Sequence, residues 1–255
     1  MSAVKTQQEI MAMREGGKIL AGVLDEVSQK AVAGATTAFL NAEAERLIRA
    51  AGATPSFLGY RARGASTPYP ATLCTSVNDE VVHGIPSERV LREGDIIGLD
   101  IGLWYRDLCV DMAITVPIGT VSEKARHLIV VTRQSLYEGI AAVHAGARTG
   151  DIGYAVEQYV KPHGFGIVRE LAGHGVGHAV HEEPPIMNFG KKGTGELLEA
   201  GMTIALEPMV TEKGWQVKTG SDGWTIKTAD ESLAAHFEHT VLVTKDGCEI
   251  LTVLH

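Results

Sequence analysis

No stretch of the 255-residue chain approaches the ~18 apolar residues that a membrane-spanning helix requires, and the opening MSAVKTQQEIMAMREGG lacks the apolar core of a signal peptide. Excess basic charge is missing too. Lys+Arg number 23 against 31 Asp+Glu, for a formal net charge of −8, and no Lys/Arg cluster dominates any segment, which argues against binding nucleic acid. Cysteine is scarce. Cys74, Cys109 and Cys248 are scattered without a CxxC spacing, so neither a zinc ribbon nor a disulfide framework is available, and a reducing compartment fits best. A cytoplasmic protein with no membrane association is expected. Apolar residues make up 45% of the chain, enough for one large core or two small ones.

Against this background, Gly94 to Val116, GDIIGLDIGLWYRDLCVDMAITV, stands out because it places Asp100 and Asp111 inside apolar, strand-like sequence. Only Trp104-Tyr105-Arg106-Asp107 interrupts it, which predicts two antiparallel strands and a tight turn. A two-residue loop at Tyr105-Arg106 would set Asp100 directly opposite Asp111. Carboxylates so opposed, with Cβ atoms roughly 4.5–5.5 Å apart, repel unless a cation lies between them. Asp107 reads as a turn residue, but an unpaired Asp100 in IIGLDIGL would cost several kcal/mol or be driven to protonate.

Elsewhere the pattern is helix, helix, strands, then helix, helix, strands. Thr6-Gln7-Gln8-Glu9 is a capping box opening a helix to about Ala31, and a second helix is expected from about Thr37 to Gly52. Residues 53–72 read as loop punctuated by Phe57, Tyr60 and Tyr69, and strands are expected through Leu73–Val82. Ser122 opens a third helix, and Asp151 lies at the start of a fourth running to about Lys161. Ala33-Gly34-Ala35-Thr36-Thr37 recurs as Ala145-Gly146-Ala147-Arg148-Thr149, each between two helices. GDIIGLD, ending in Asp100, resembles GMTIALE, ending in Glu207, in the same order and at a similar interval. The expectation is one α+β domain, residues 1–255, made of related halves of roughly 1–120 and 121–255, with Asp100 and Glu207 on equivalent strands.

Glu207 precedes Pro208 and is therefore biased to extended backbone. Glu238 sits on one face of the alternating strand AHFEHTVLVT, which returns through Asp246-Gly247 into CEILTVL. His174 lies in AGHGVGHAVHEEPP. There the spacing of His174, His178 and His181 imitates a helical zinc site, but Gly173, Gly175 and Gly177 make a helix unfavourable and instead let backbone pass close to a cluster that His174 joins. His83 and His181 each precede a proline-containing turn, and either could be structural or catalytic. Asp100, Asp111, Glu207 and Glu238 carry four negative charges, which two divalent ions neutralise and one does not. Oxygen-rich ligation with one imidazole suits Mn, Fe, Co or Zn, and a close metal pair implies hydrolysis of an acyl or phosphoryl centre.

Taken together, VNDEVVHGIP, LDIGLWYRDLCVDMA, LAGHGVGHAVHEEPP, ALEPMV and FEHTVLVT resemble the five signature stretches of type I methionine aminopeptidases, metalloenzymes of the two-halved pita-bread fold. The resemblance spans nearly the whole chain. It implies that Asp100, Asp111, His174, Glu207 and Glu238 ligate two divalent ions, with Asp111 and Glu238 bridging. It further implies a metal-activated hydroxide as nucleophile, Glu207 as general base and acid, His181 stabilising the oxygen of the tetrahedral intermediate, and His83 contacting the scissile amide. Tyr60, Tyr69, Cys74, His83 and Trp224 would form the methionine pocket, with His181 also meeting the substrate. The implied substrates are nascent chains and peptides with N-terminal methionine and a small second residue. A monomer is expected, and transient ribosome contact is compatible with such substrates. The short Glu207–Glu238 interval and the lack of a zinc-binding N-terminal extension match the minimal bacterial form, and the chain's own Met1-Ser2 would make it a substrate of its own activity.

Two departures accompany the resemblance. RARGASTP lengthens the loop between Tyr60 and Tyr69, and Val180 stands where the family often has phenylalanine, which would widen the pocket. The competing readings are a proline-specific peptidase of the prolidase type, which normally carries an added N-terminal domain, a two-metal phosphoesterase, and a binding module on the same fold.

Overall fold

The computed structural model describes residues 4–61 and 67–254; residues 1–3, which include Met1-Ser2, residues 62–66 within the lengthened loop, and residue 255 lie outside them. Helix α1 (Gln7–Lys30) begins as the capping box requires: Thr6 Oγ1 accepts the Glu9 N–H, and Glu9 Oε2 accepts the Thr6 N–H at 2.6 Å. Its apolar stripe of Ile10, Met13, Leu20, Leu24 and Val27 is buried. Helices α2 (Thr37–Ala50), α3 (Glu123–Ala141) and α4 (Thr149–Val160) follow near the expected places, with Thr36 and Ser122 capping the second and third through their hydroxyls.

The main sheet has nine strands: β1 (Thr54–Pro55), β2 (Leu73–Val77), β3 (Ile96–Tyr105), β4 (Leu108–Pro117), β5 (Gly173–Gly175), β6 (Glu182–Ile186), β7 (Thr203–Leu206), β8 (Glu238–Val243) and β9 (Cys248–Ile250). Its order is β1-β3-β4-β8-β7-β5-β6, with β2 joined to β3 and β9 to β8. All pairings within it are antiparallel. The expected strand region through Leu73–Val82 is split by a turn at Asn78, whose φ of 60° is left-handed, and Glu80–Val82 joins a separate three-stranded sheet.

The hairpin register differs from the sequence expectation. Tyr105 pairs with Leu108, so the turn is Arg106-Asp107, not Tyr105-Arg106, and Asp100 faces Ala113 while Asp111 faces Gly102. The reason lies in the backbone. A two-residue hairpin that follows the strand twist needs positive φ at both central residues, and Arg106 and Asp107 supply 49° and 63°. The shift moves the register by an even number, so both aspartates remain on one face as diagonal neighbours. On the other face Leu99, Ile101 and Leu103 are fully buried in the cluster shared with Leu20, Leu24 and Leu40 of the first two helices. Each such side chain contributes about 1.5–3 kcal/mol by leaving water, which anchors the sheet to its helices and fixes which face the acids occupy.

Matched turns occur at the positions that recur in sequence. Gly34 and Gly146 have φ of 95° and 93°, and their N–H groups donate to the carbonyls of Leu91 and Leu198. Gly94 and Gly201, which lead into β3 and β7, have φ of 91° and 94°. Two acids thereby reach the same pocket by similar routes, Asp100 within β3 and Glu207 immediately after β7.

Candidate metal centre and substrate pocket

One pocket gathers every site residue expected from the sequence. Asp100, Asp111, His174, Glu207 and Glu238 line it together with His83 and His181, and Tyr60, Tyr69, Cys74 and Trp224 complete the wall.

Close approach of strands assembles the ligand-type cluster. A Cβ added to Gly173 would lie 2.3 Å from the Ala205 carbonyl oxygen, and one on Gly175 2.4 Å from that of Glu183, so only glycine lets β7 and β6 close on His174 from both sides. The glycine-flanked histidine is thus held on a strand and not on a helix, as its neighbours indicated. On the far side β8 diverges from β4 just beyond the Glu238–Ala113 and His239–Met112 pairs. There the Thr240 hydroxyl accepts the Asp111 N–H at 2.9 Å and donates to the Asp111 carbonyl at 2.8 Å, replacing the missing ladder bonds and fixing the Asp111 backbone.

Ligand atoms of Asp111, His174 and Glu238 come within 4.8 Å of one another. Burial and mutual repulsion drive the Asp100, Glu207 and Glu238 carboxyls well above the ordinary carboxylate range, and burial raises Asp111 to about 7. Four such acids ionise together only if cations share the site. Asp100 Oδ1 and Glu238 Oε1 are buried with no hydrogen-bond partner, as expected of oxygens built to ligate. Burial lowers the His174 pKa to about 3, so the ring is neutral, and its Nδ1 lies 2.8 Å from the Gly175 carbonyl. That bond places the proton on Nδ1 and leaves the Nε2 lone pair free for a metal. The donor set therefore fits divalent cations.

The remaining groups surround this cluster. His181 packs edge-on against His174, with ring centroids 4.4 Å apart, and its Nδ1 lies 2.6 Å from the Tyr60 hydroxyl. Burial raises the Tyr60 pKa and lowers that of His181, so the phenol donates and the imidazole keeps its own proton on Nε2. His83 adopts a left-handed φ of 60°, uncommon for a residue with a side chain and frequent at functional positions, and its ring meets Trp224 edge-on at 6.3 Å. Tyr69 is held by Gly84 and Leu73 carbonyls at 2.9 and 3.2 Å and meets Trp224 edge-on at 5.3 Å.

The two departures resolve locally. The Tyr69 N–H donates to the Tyr60 carbonyl and the Gly59 N–H to the Tyr69 carbonyl, both at 2.8 Å, so the lengthened loop closes at its base and leaves both tyrosines in the wall. Val180 is buried in the core and does not line the pocket, whereas Phe57 does. Val180 therefore does not shape the pocket wall as expected from the sequence, and Phe57 supplies a ring there. Phe57 and His236 are the residues sequence reasoning missed. His236 Nε2 is buried without a hydrogen-bond partner, 3.6 Å from Glu207 Oε2. It shares the parity of Glu238 in AHFEHT, which was the available signal.

Residues 11–245 match the family model described as Metallopeptidase family M24. The chain belongs to that family. This M24 chain is 43% identical over 254 residues to the methionine aminopeptidase of Clostridium perfringens (strain 13 / Type A), covering 100% of both. Its fold superimposes on the crystal structure of methionine aminopeptidase from Thermotoga maritima with a TM-score of 0.94 at 42% identity, covering 98% of each chain. The α+β pita-bread architecture expected from the sequence is thus the fold of this M24 member. Prolidase from Pyrococcus furiosus shares that fold alone, with a TM-score of 0.75 at 20% identity; the match covers 99% of this chain and 66% of the prolidase.

Proposed function

We propose that this chain is a metallo-aminopeptidase that removes initiator methionine from nascent proteins and peptides whose second residue is small. The observation that carries the reading is a single pocket in which five residues of ligand type adjoin a chamber of aromatic rings and a thiol. Asp100, Asp111, His174, Glu207 and Glu238 would hold two divalent ions (Co, Mn, Fe or Zn), which, when bound, activate a water and polarise the scissile carbonyl. Ligand atoms on Asp111, His174 and Glu238 lie within 4.8 Å of one another, close enough for the three residues to share an ion.

The chain's own groups do the rest. Glu207, a carboxylate in the pocket wall, receives a proton from the attacking water and delivers it to the departing amine. His181 donates from Nε2 to the carbonyl oxygen as negative charge develops there, with Tyr60 holding the opposite ring nitrogen. His83, fixed by its backbone against Trp224, orients the scissile amide. The methionine side chain lies among Tyr60, Tyr69, Cys74 and Trp224, with Phe57 adding a further ring, because a polarisable thioether packs well on aromatic edges.

Residues 1–255 then act as one catalytic domain with related parts of roughly 1–120 and 121–255, a division that the matched turns support. The setting proposed for these substrates is a cytoplasmic monomer that meets the ribosome transiently. No helix among the described residues is long and apolar enough to cross a membrane. None of the described lining residues is Lys or Arg, the usual clamps for a phosphoryl group. The test offers metal-loaded protein Met-Ala-Ser, Ala-Pro and a phosphodiester in parallel. Turnover of the first alone is expected; turnover of either of the others without it contradicts the proposal.

A further inference from the structure

Lys5 is a buried cation with no part in the chemistry above. Its side chain is 0% exposed and its ammonium lies 2.8 Å from Glu182 Oε2. Oε1 of the same carboxylate accepts the N–H groups of His178 and, at 2.9 Å, of Ala179. Glu9 Oε1 lies 2.7 Å from His178 Nε2, and the other Glu9 oxygen accepts the Thr6 N–H. The backbone is secured on both sides as well. The Lys5 N–H donates to the Gly201 carbonyl at 2.8 Å, and the Cys109 N–H to the Gly177 carbonyl at 2.7 Å. Lys5 passes so near Gly177, whose φ is +141°, that a Cβ there would lie 2.3 Å from Lys5 Cε. The N-terminal segment from Lys5 to Glu9 therefore grips the loop that carries His181.

Such a grip has a chemical use. His181 sits in a loop that also contains Gly177, where backbone freedom is greatest, and only a fixed loop keeps its Nε2 aimed at one oxygen. A displacement of 1 Å in a group that acts on the transition state can cost about 10²-fold in rate. The ion pair converts the position of the first helix into the position of His181, because the Lys5 ammonium is fully buried and cannot leave Glu182 without losing its partner, while the same carboxylate holds the loop's amides.

We propose that Lys5 and Glu182 are positioning residues for His181, acting through the backbone amides of His178 and Ala179. This rests on the role given to His181 above. The test compares wild type with Lys5→Met and with the double variant Lys5→Met/Glu182→Gln, which removes both charges and leaves neither unpaired. Turnover of Met-Ala-Ser by metal-loaded protein should fall about 10–100-fold in kcat with KM and bound metal nearly unchanged, the pattern of a contact made only in the transition state. Amide hydrogen exchange, read without substrate, should show His178 and Ala179 protected in wild type and less protected in the double variant, because a neutral amide oxygen no longer held by Lys5 accepts these N–H bonds more weakly than the carboxylate, with α2 and α3 unchanged. Wild-type kcat in the double variant, or unprotected His178 and Ala179 amides in wild type, overturns the proposal. Since exchange needs no substrate, a wild type that ignores Met-Ala-Ser but whose His178 and Ala179 amides are protected, with that protection reduced in the double variant, counts against the function and in favour of the grip.

Discussion

Removing divalent cations should make the protein less stable as pH rises, and Asp111 sets the scale. Its folded pKa of about 7 stands above the 3.8 of a free aspartate, chiefly because burial disfavours the charged form. For an acid with a raised pKa the penalty is absent below the unfolded value, builds between about pH 4 and pH 7, and stays constant above. The full penalty is about 4 kcal/mol, of which roughly 2.5 kcal/mol accrues between pH 5 and pH 7.5. For a chain of this size that is on the order of 5–10 °C in melting temperature. Asp111→Asn keeps an oxygen for the Met112 N–H, which now donates to Asp111 Oδ1 at 3.0 Å, but cannot ionise. Calorimetry of chelator-treated protein at the two pH values should show wild type losing several degrees more than the variant. Added Mn at pH 7.5 should restore about 2.7 kcal/mol to wild type at 100 times its dissociation constant. Equal pH dependence in wild type and variant would refute the claim that the site is a set of acids awaiting cations.

Other perturbations test separate parts of the site. Glu207→Ala removes a ligand and the base together and should lower turnover at least 10²–10⁴-fold; near-normal rates in a direct assay of methionine release would contradict its assignment. His181→Ala should reduce kcat about 10²–10³-fold with metal content unchanged, so loss of metal on elemental analysis would place His181 among the ligands instead. Gly173→Ala would set a methyl 2.3 Å from the Ala205 carbonyl, and the required parting of strands should cost about 1–3 kcal/mol in thermal unfolding. An unchanged melting temperature would mean that the strands flanking His174 do not approach as described.

The ligand-type residues were legible because each breaks a local rule. Asp100 interrupts an apolar run, Glu207 ends one before a proline, and His174 sits between glycines where a helix would not form. The hairpin shows the limit of such reading. Alternation fixed which face the aspartates share, but not which residues turn, since Tyr105-Arg106 and Arg106-Asp107 both satisfy the pattern and only the positive φ pair selects the second. Phe57 was visible as an aromatic in a loop, yet nothing local showed that its ring reaches the pocket while Val180 stays in the core. Lys5 and Glu182 were illegible for a stronger reason. They meet across most of the length of the chain, and charges near a helix start or in a glycine-rich loop are ordinarily solvated.

The central claim is that this pocket uses divalent cations to release methionine ahead of a small residue. Metal-stripped protein should release no methionine from Met-Ala-Ser; adding Mn, Co, Fe or Zn should restore release from Met-Ala-Ser and leave Met-Lys-Ser intact. Cleavage by the stripped protein, equal cleavage of both peptides, or no cleavage with any of the four metals would contradict it.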